Sequence, residues 1–346
     1  MVNDVSAREA ALPPVLRDTT TTLSGWRAFV NEPANEFTLL PDDELAALTP
    51  AQRHDYDDQR MTYHSELVVV NTPTVKKVAQ QGQLLTILNR REISARRSLI
   101  VSGPEASGKS TAIKMLGKTH ETLARRRYRD DRDLIPVVYI TAPSKGSPRK
   151  LVSELANFLG LELPARTNAS DATDAVCKVM TACRTDLVMV DEIHNFNLGT
   201  SAGEDMSDHL KYFTEHLAAT FVYAGINVES SGLFTGIRGR QISGRSVLTR
   251  TGPFPLNKEW TNLVATLDAA LRLHDQPPGN LTNMTKYLHQ RTGGSISSLS
   301  QLVRAGAIKA ISTQRERIDR DLLDDISIDY AAESTTPAKP RRRSSA

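Results

Sequence analysis

Between residues 97 and 120, a short apolar run, Leu99-Ile100-Val101, leads straight into Gly103-Pro104-Glu105-Ala106-Ser107-Gly108-Lys109-Ser110-Thr111. Ile113 and Leu116 follow three apart, with Met115 beside them. The order is buried strand, glycine-bounded loop, helix, and it leaves a chain few choices of fold. The glycines let the loop curl until successive backbone N–H groups point inward. A helix starting near Lys109 brings the partial positive charge of its N-terminus to the same spot. Lys109 adds a full charge, and the Ser110 hydroxyl can ligate Mg²⁺. This is the Walker A pattern for the phosphates of a nucleotide such as ATP. Residues 103–111 are its binding residues, and Ser110 is a metal ligand.

At 346 residues the chain has room for one large domain with extensions, or for two. No run of about 18 apolar residues occurs, so no membrane span is expected. The first residues carry Asp4, Arg8 and Glu9 without an apolar core, unlike a signal peptide. Cys177 and Cys183 are the only cysteines and have no metal-binding spacing. They read as buried or incidental thiols of a reducing cytoplasm. The net charge of +3 does not by itself announce a nucleic-acid binder. Its distribution is uneven: residues 1–60 hold eleven acids against five bases, while the end carries Lys339, Arg341, Arg342 and Arg343. A second basic run is Arg125-Arg126-Arg127 with Arg129. Such runs are most often solvated faces.

Residues 1–22 read as disordered, with Pro13-Pro14 and four threonines from Thr19. Helix starts follow at Pro41-Asp42-Asp43-Glu44 and at Thr49-Pro50-Ala51-Gln52. Arg53, Tyr56, Arg60 and Tyr63 share one helix face, read as a packing face. A helix over 74–93 would bury Val75, Val78, Leu84, Leu85 and Leu88. Strands are expected at 135–140, 187–192 and 219–224, with helices at 147–159, 171–184 and 205–217 between them. That alternation predicts a parallel α/β sheet flanked by helices. Residues 253–256 read as a short edge strand. Helices at 258–273, 281–291 and 295–312 would form a small helical lid, and a basic tail begins near Ser334.

The strand 187–192 ends in Asp191-Glu192, a Walker B pattern. A buried parallel strand delivers its terminal acids to the carboxyl edge of the sheet, where the Walker A loop also lies. Asp191 would hold Mg²⁺ through its water shell, and Glu192 would polarise the attacking water. Asp191-Glu192-Ile193-His194 also spells the DExH form of helicases. The chain beyond it is too short for a second RecA-like domain, so His194 reads as local to the site.

Together the Walker boxes, Gly225-Ile226-Asn227, the Arg-rich stretch 228–252 and Thr292-Gly293-Gly294-Ser295-Ile296 resemble TniB-like AAA+ ATPases, in the same order. These are transposition helpers related to the IstB, MuB and TnsC proteins. The resemblance covers residues 60–312 or so. It implies ATP-dependent homo-oligomers on DNA and delivery of target DNA to a partner transposase of the DDE type. It implies that Asn227 is the sensor 1 residue. It also implies an arginine finger acting on a neighbouring subunit, for which Arg245 in Gln241-Ile242-Ser243-Gly244-Arg245 is the first choice and Arg240 the second. The sequence departs from the AAA+ pattern at sensor 2: Gly294-Ser295-Ile296 runs on to Ser297 and Ser298, and Arg304 is two turns away.

The domain plan is then an N-terminal extension (1–60), an AAA+ nucleotide-binding core (61–257), a helical lid (258–330) and a basic tail (331–346). The leading reading is a cytoplasmic ATPase, slow and DNA-stimulated, that regulates transposition. Two others stay open: a stand-alone signalling or defence NTPase, and a nucleotide-gated DNA-binding scaffold with negligible hydrolysis.

Overall fold

The computed structural model describes residues 18–66, 70–144, 147–164, 167–196, 201–230 and 243–329. Short apolar runs make its strands: β1 (Ser98–Ser102), β2 (Val137–Thr141), β3 (Leu187–Asp191), β4 (Thr220–Gly225) and β5 (Ser246–Arg250). Every residue of β1, β3 and β4 is buried, as strands covered on both faces by helices must be. The sheet order is β2-β3-β4-β1-β5 and every pairing is parallel. All five strands therefore end at one carboxyl edge.

The helices before and between the strands are α1 (Leu23–Asn31), α2 (Asp42–Ala46), α3 (Pro50–Ser65), α4 (Pro73–Asn89), α5 (Lys109–Arg127), α6 (Pro148–Leu159), α7 (Ala169–Ala182) and α8 (Ser201–His216). After β5 come α9 (Lys258–Ala269), α10 (Asn280–Asn283), α11 (Thr285–Thr292), α12 (Ile296–Ser312) and α13 (Arg320–Asp324). Their starts follow the capping rules: Thr49 and Gln52 form a full capping box on α3, and Ser147 and Asn168 cap α6 and α7. One apolar core surrounds the sheet, and a second joins α9 to α13 around Trp260, Leu299 and Leu302.

The N-terminal helices divide between these cores. Trp26 of α1 stacks on Tyr139 of β2 at 5.8 Å and donates its indole N–H to Glu121 of α5. The face of α3 packs on α12 instead. There Arg60, fully buried, pairs with Asp57 and, at 2.7 Å, with Glu316.

Several expectations need correction. Residues 19–22 form a turn rather than disordered chain: Thr22 N–H donates to Thr19 O at 3.1 Å, and the turn closes over Gly25. Leu84 and Leu88 are 56% and 51% exposed, because α4 packs on α5 through Val78, Gly82 and Leu85. The edge strand beside β1 is β5, and residues 253–256 are not a strand. The Phe254 N–H is engaged by Gly294 O at 2.9 Å, and Pro253 and Pro255 have none to offer a ladder. The helix expected over 281–291 is broken at Met284 into α10 and α11. Cys177 is buried and Cys183 half-buried, both free thiols. Among the described residues, no helix is long and apolar enough to cross a membrane.

Candidate functional site

Turns following four strands converge at the carboxyl edge. After β1, Ala106 (φ 55°) and Gly108 (φ 83°) take left-handed backbones and curl the loop into the start of α5. Gly103 is needed for another reason: a Cβ there would lie 2.2 Å from Thr251 Oγ1 and 2.4 Å from Thr251 O. The chain leaving β5 thus braces the loop. Thr251 N–H donates to Ser102 O at 2.7 Å, and Thr251 Oγ1 is 2.7 Å from Ser107 Oγ.

Lys109 is buried, and its Nζ donates to Pro104 O at 2.6 Å. Burial pushes its pKa down, and Glu192, Asp191 and Glu105 pull against that. The Nζ hydrogen bond goes to a backbone carbonyl that an incoming phosphate oxygen can replace. Ser110 follows on the first turn of α5, half-buried.

Asp191 ends β3 and is 2% exposed. Its Oδ2 accepts the Tyr139 hydroxyl at 2.8 Å and its Oδ1 accepts the Glu192 N–H at 2.9 Å. Burial, then the Asp191 charge, pushes the Tyr139 phenol well above its usual range, so it stays a donor. Each Asp191 oxygen keeps a lone pair for an ordered water. Glu192 has φ 54° and turns its side chain to the cavity wall.

That cavity is about 530 Å³, a size suited to a small ligand. Glu105 to Thr111 and Glu192 form its polar side, while Val75, Phe254, Leu263 and Ile296 line the other. Ile296 Cγ2 lies 3.6 Å from where a Gly108 Cβ would be, so the first turn of α12 closes on the loop. Arg304 also lines the cavity, but its guanidinium donates to the carbonyls of Ser65 and, at 3.3 Å, His64. Oxygen donors from Asp191 and Ser110 suit Mg²⁺ shared with phosphates, the usual way this hard ion is held. Among the described residues, no group of His, Cys, Asp or Glu could hold a metal without such help.

The other candidates lie apart from the cavity. Asn227, at the turn after β4, is exposed; its neighbour Ile226 is the one that lines the wall. Arg245 precedes β5, at the sheet's opposite edge, 41% exposed and 3.9 Å from Glu215. Arg238 and Arg240 lie outside the described residues. The sequence reading passed over Tyr139 and Thr251. A hydroxyl-bearing residue inside Val137-Val138-Tyr139-Ile140 was the available signal for the first.

A P-loop on an inner strand of a parallel sheet, closed over by a helical unit, defines the AAA+ class of P-loop ATPases. Solved structures share this architecture. The Orc1 protein of Aeropyrum pernix, solved in complex with DNA, aligns with a TM-score of 0.57 and 16% identity over 77% of this chain and 65% of that one. The ORC2 protein of the same organism, in ADPNP-ADP complexes, gives 0.58 and 15% over 77% and 68%. Cdc6p from Pyrobaculum aerophilum gives 0.54 and 16% over 81% and 69%. At these identities the likeness is one of fold, and the chain spans a little less than two thirds of Orc1. No curated protein matches the sequence. The family described as bacterial TniB protein matches residues 60–234, just over half of the chain, which therefore belongs to the TniB family. Family and fold together support a nucleotide-binding ATPase.

Proposed function

We propose that this protein is an ATP-hydrolysing regulator of DNA transposition, cytoplasmic, that binds DNA largely without sequence preference and engages a DDE-type transposase. The observation that carries the nucleotide half is the cavity in which Lys109, Ser110 and Glu192 face an apolar wall. The loop N–H groups would cradle the phosphates, and Lys109 would leave Pro104 O for them. Ser110 and Asp191 would hold Mg²⁺, which supplies charge neutralisation on the phosphates. Glu192 would take the proton of the water that attacks the terminal phosphorus, and ADP would leave. In this reading residues 61–257 act as the nucleotide core and 258–330 as a lid.

The DNA half is supported by TniB membership and by the Orc1 relative, itself solved with DNA. The exposed Arg126, Arg127 and Arg129 at the end of α5 are candidate phosphate contacts. Arg304, on α12 within the lid, favours the scaffold reading at one point, since its guanidinium is spent on backbone carbonyls rather than left for a γ-phosphate.

The experiment is steady-state ATP hydrolysis with and without duplex DNA, for wild type and Glu192→Gln. Wild type should turn over faster with DNA, and Glu192→Gln should bind ATP yet lose about 10²–10⁴ in rate. Binding without measurable wild-type turnover would favour the scaffold. Turnover indifferent to DNA would favour a stand-alone NTPase.

A further inference from the structure

Two non-glycine residues with left-handed backbones stand at neighbouring strand ends: Glu192 after β3 and Asn227 (φ 42°) after β4. Such backbones persist where the surroundings enforce them. Around Asn227 the enforcement is visible. On one side Val228 N–H donates to Ser102 Oγ at 2.9 Å. On the other, Ile226 N–H donates to His194 Nδ1 at 3.2 Å. Gly225 O accepts Gly103 N–H at 3.3 Å, which ties the same turn to the P-loop. The turns after β3 and β4 also touch directly: a Cβ on Gly225 would lie 2.8 Å from Ile193 Cγ2 and 3.2 Å from His194 N.

The nitrogen that pins Ile226 also stands 3.3 Å from Glu192 Oε2. One ring nitrogen cannot serve both neighbours. To accept the Ile226 N–H it must present a lone pair, and a lone pair offers the carboxylate no bond. To hold the carboxylate it must carry a proton, and Ile226 then loses its acceptor.

We propose that His194 is a positioning residue for hydrolysis, choosing between these partners. With its proton on Nε2 it fixes the turn bearing Asn227 and leaves the Glu192 carboxylate unbonded, ready for the attacking water. With its proton on Nδ1 it captures Glu192 and frees the Asn227 turn. The first arrangement is the competent one. This rests on the reading of Glu192 as the general base.

The test compares His194→Leu, which has the bulk without the acceptor, with His194→Asn, whose Oδ1 can occupy the place of Nδ1. His194→Leu should bind ATP as wild type does but lose about tenfold or more in kcat, since a misplaced catalytic group costs up to about 100-fold. His194→Asn should recover most of that loss. In wild type, nitrogen NMR of labelled histidine should show His194 Nδ1 without a proton in the presence of a non-hydrolysable ATP analogue. That measurement needs no variant to fold. Wild-type kcat in His194→Leu, no recovery in a folded His194→Asn, or a protonated Nδ1 would each overturn the proposal. Glu192→Gln run in parallel separates the two failures. If it turns over normally, the reading of Glu192 itself falls; if it is inactive while His194→Leu is normal, only the role of His194 falls.

Discussion

His64 on α3 shows how one buried side chain sets a pH limit. Its Nε2 accepts the backbone N–H of Arg272 at 3.2 Å, which requires a lone pair there. Burial, with the charges of Arg60 and Arg272 nearby, pushes its pKa down to about 4. The unfolded chain protonates this histidine near pH 6.5 and the native one only near 4, so between those values the unfolded state binds more protons. Native stability should therefore fall as pH drops through that window, by about 3 kcal/mol at most. Asp57 and Glu316 add their loss at lower pH: burial alone would raise their pKa values, but Arg60, joined by Gln314 and Arg53 at Asp57 and by His274 at Glu316, outweighs it and holds both down. His64→Gln keeps an acceptor and cannot titrate. Urea unfolding at pH 7 and pH 5 should show a smaller acid loss in that variant, and equal losses would refute the assignment. At this scale the P-loop was legible in the sequence because its chemistry depends on residue type at fixed spacing. The reason for Gly103 was not, because Thr251 presses on it from far along the chain. Nor were the partners of His194 and Asp191, which β4 and β2 supply by lying beside β3.

Elements were legible wherever burial is two-sided. The runs 99–101, 187–190 and 221–224 are apolar throughout and became inner strands. β5 pairs with one neighbour only and is half-exposed, so Ser246-Val247-Leu248-Thr249-Arg250 carries no continuous apolar run to read. The exposure of Leu84 and Leu88 was illegible for a related reason: spacing shows that a helix has an apolar side but not how far its neighbour covers it. How closely elements approach is also a tertiary matter. Gly117 on α5 admits β3 and α1 at once: a Cβ there would lie 2.4 Å from Met189 Cε and 2.7 Å from Trp26 Cη2. The methionine end can give way, but Trp26 is held by Tyr139 and Glu121. Gly117→Ala gains about 1 kcal/mol in helix propensity. Overpacking of this kind costs about 1–3 kcal/mol, so we expect net destabilisation or no gain, measured by chemical denaturation. A clear gain in stability would mean that α1 can slide off α5 at no cost.

At the scale of the whole molecule, the question is whether one copy is enough, and Arg245 is the residue that tests it. β5 runs parallel to β1, so Arg245 before β5 and the P-loop after β1 lie at opposite edges, about 15 Å or more apart for strands of this length. The guanidinium, weakly paired with Glu215 and 41% exposed, cannot serve the site of its own chain. If it is the arginine finger, it completes the site of a neighbouring copy, where its fork can meet the γ-phosphate oxygens. ATP rather than ADP should then drive assembly, because only ATP presents that phosphate. Arg245→Ala should bind nucleotide normally as a monomer and lose both ATP-dependent assembly and turnover. Lys109→Ala should fail at nucleotide binding instead, since the phosphates lose their main counter-charge. Mixing the two inactive variants pairs an intact P-loop with an intact Arg245 across some interfaces, so part of the hydrolysis should return. Wild-type assembly and turnover in Arg245→Ala alone, read by light scattering and phosphate release, would remove Arg245 from the mechanism.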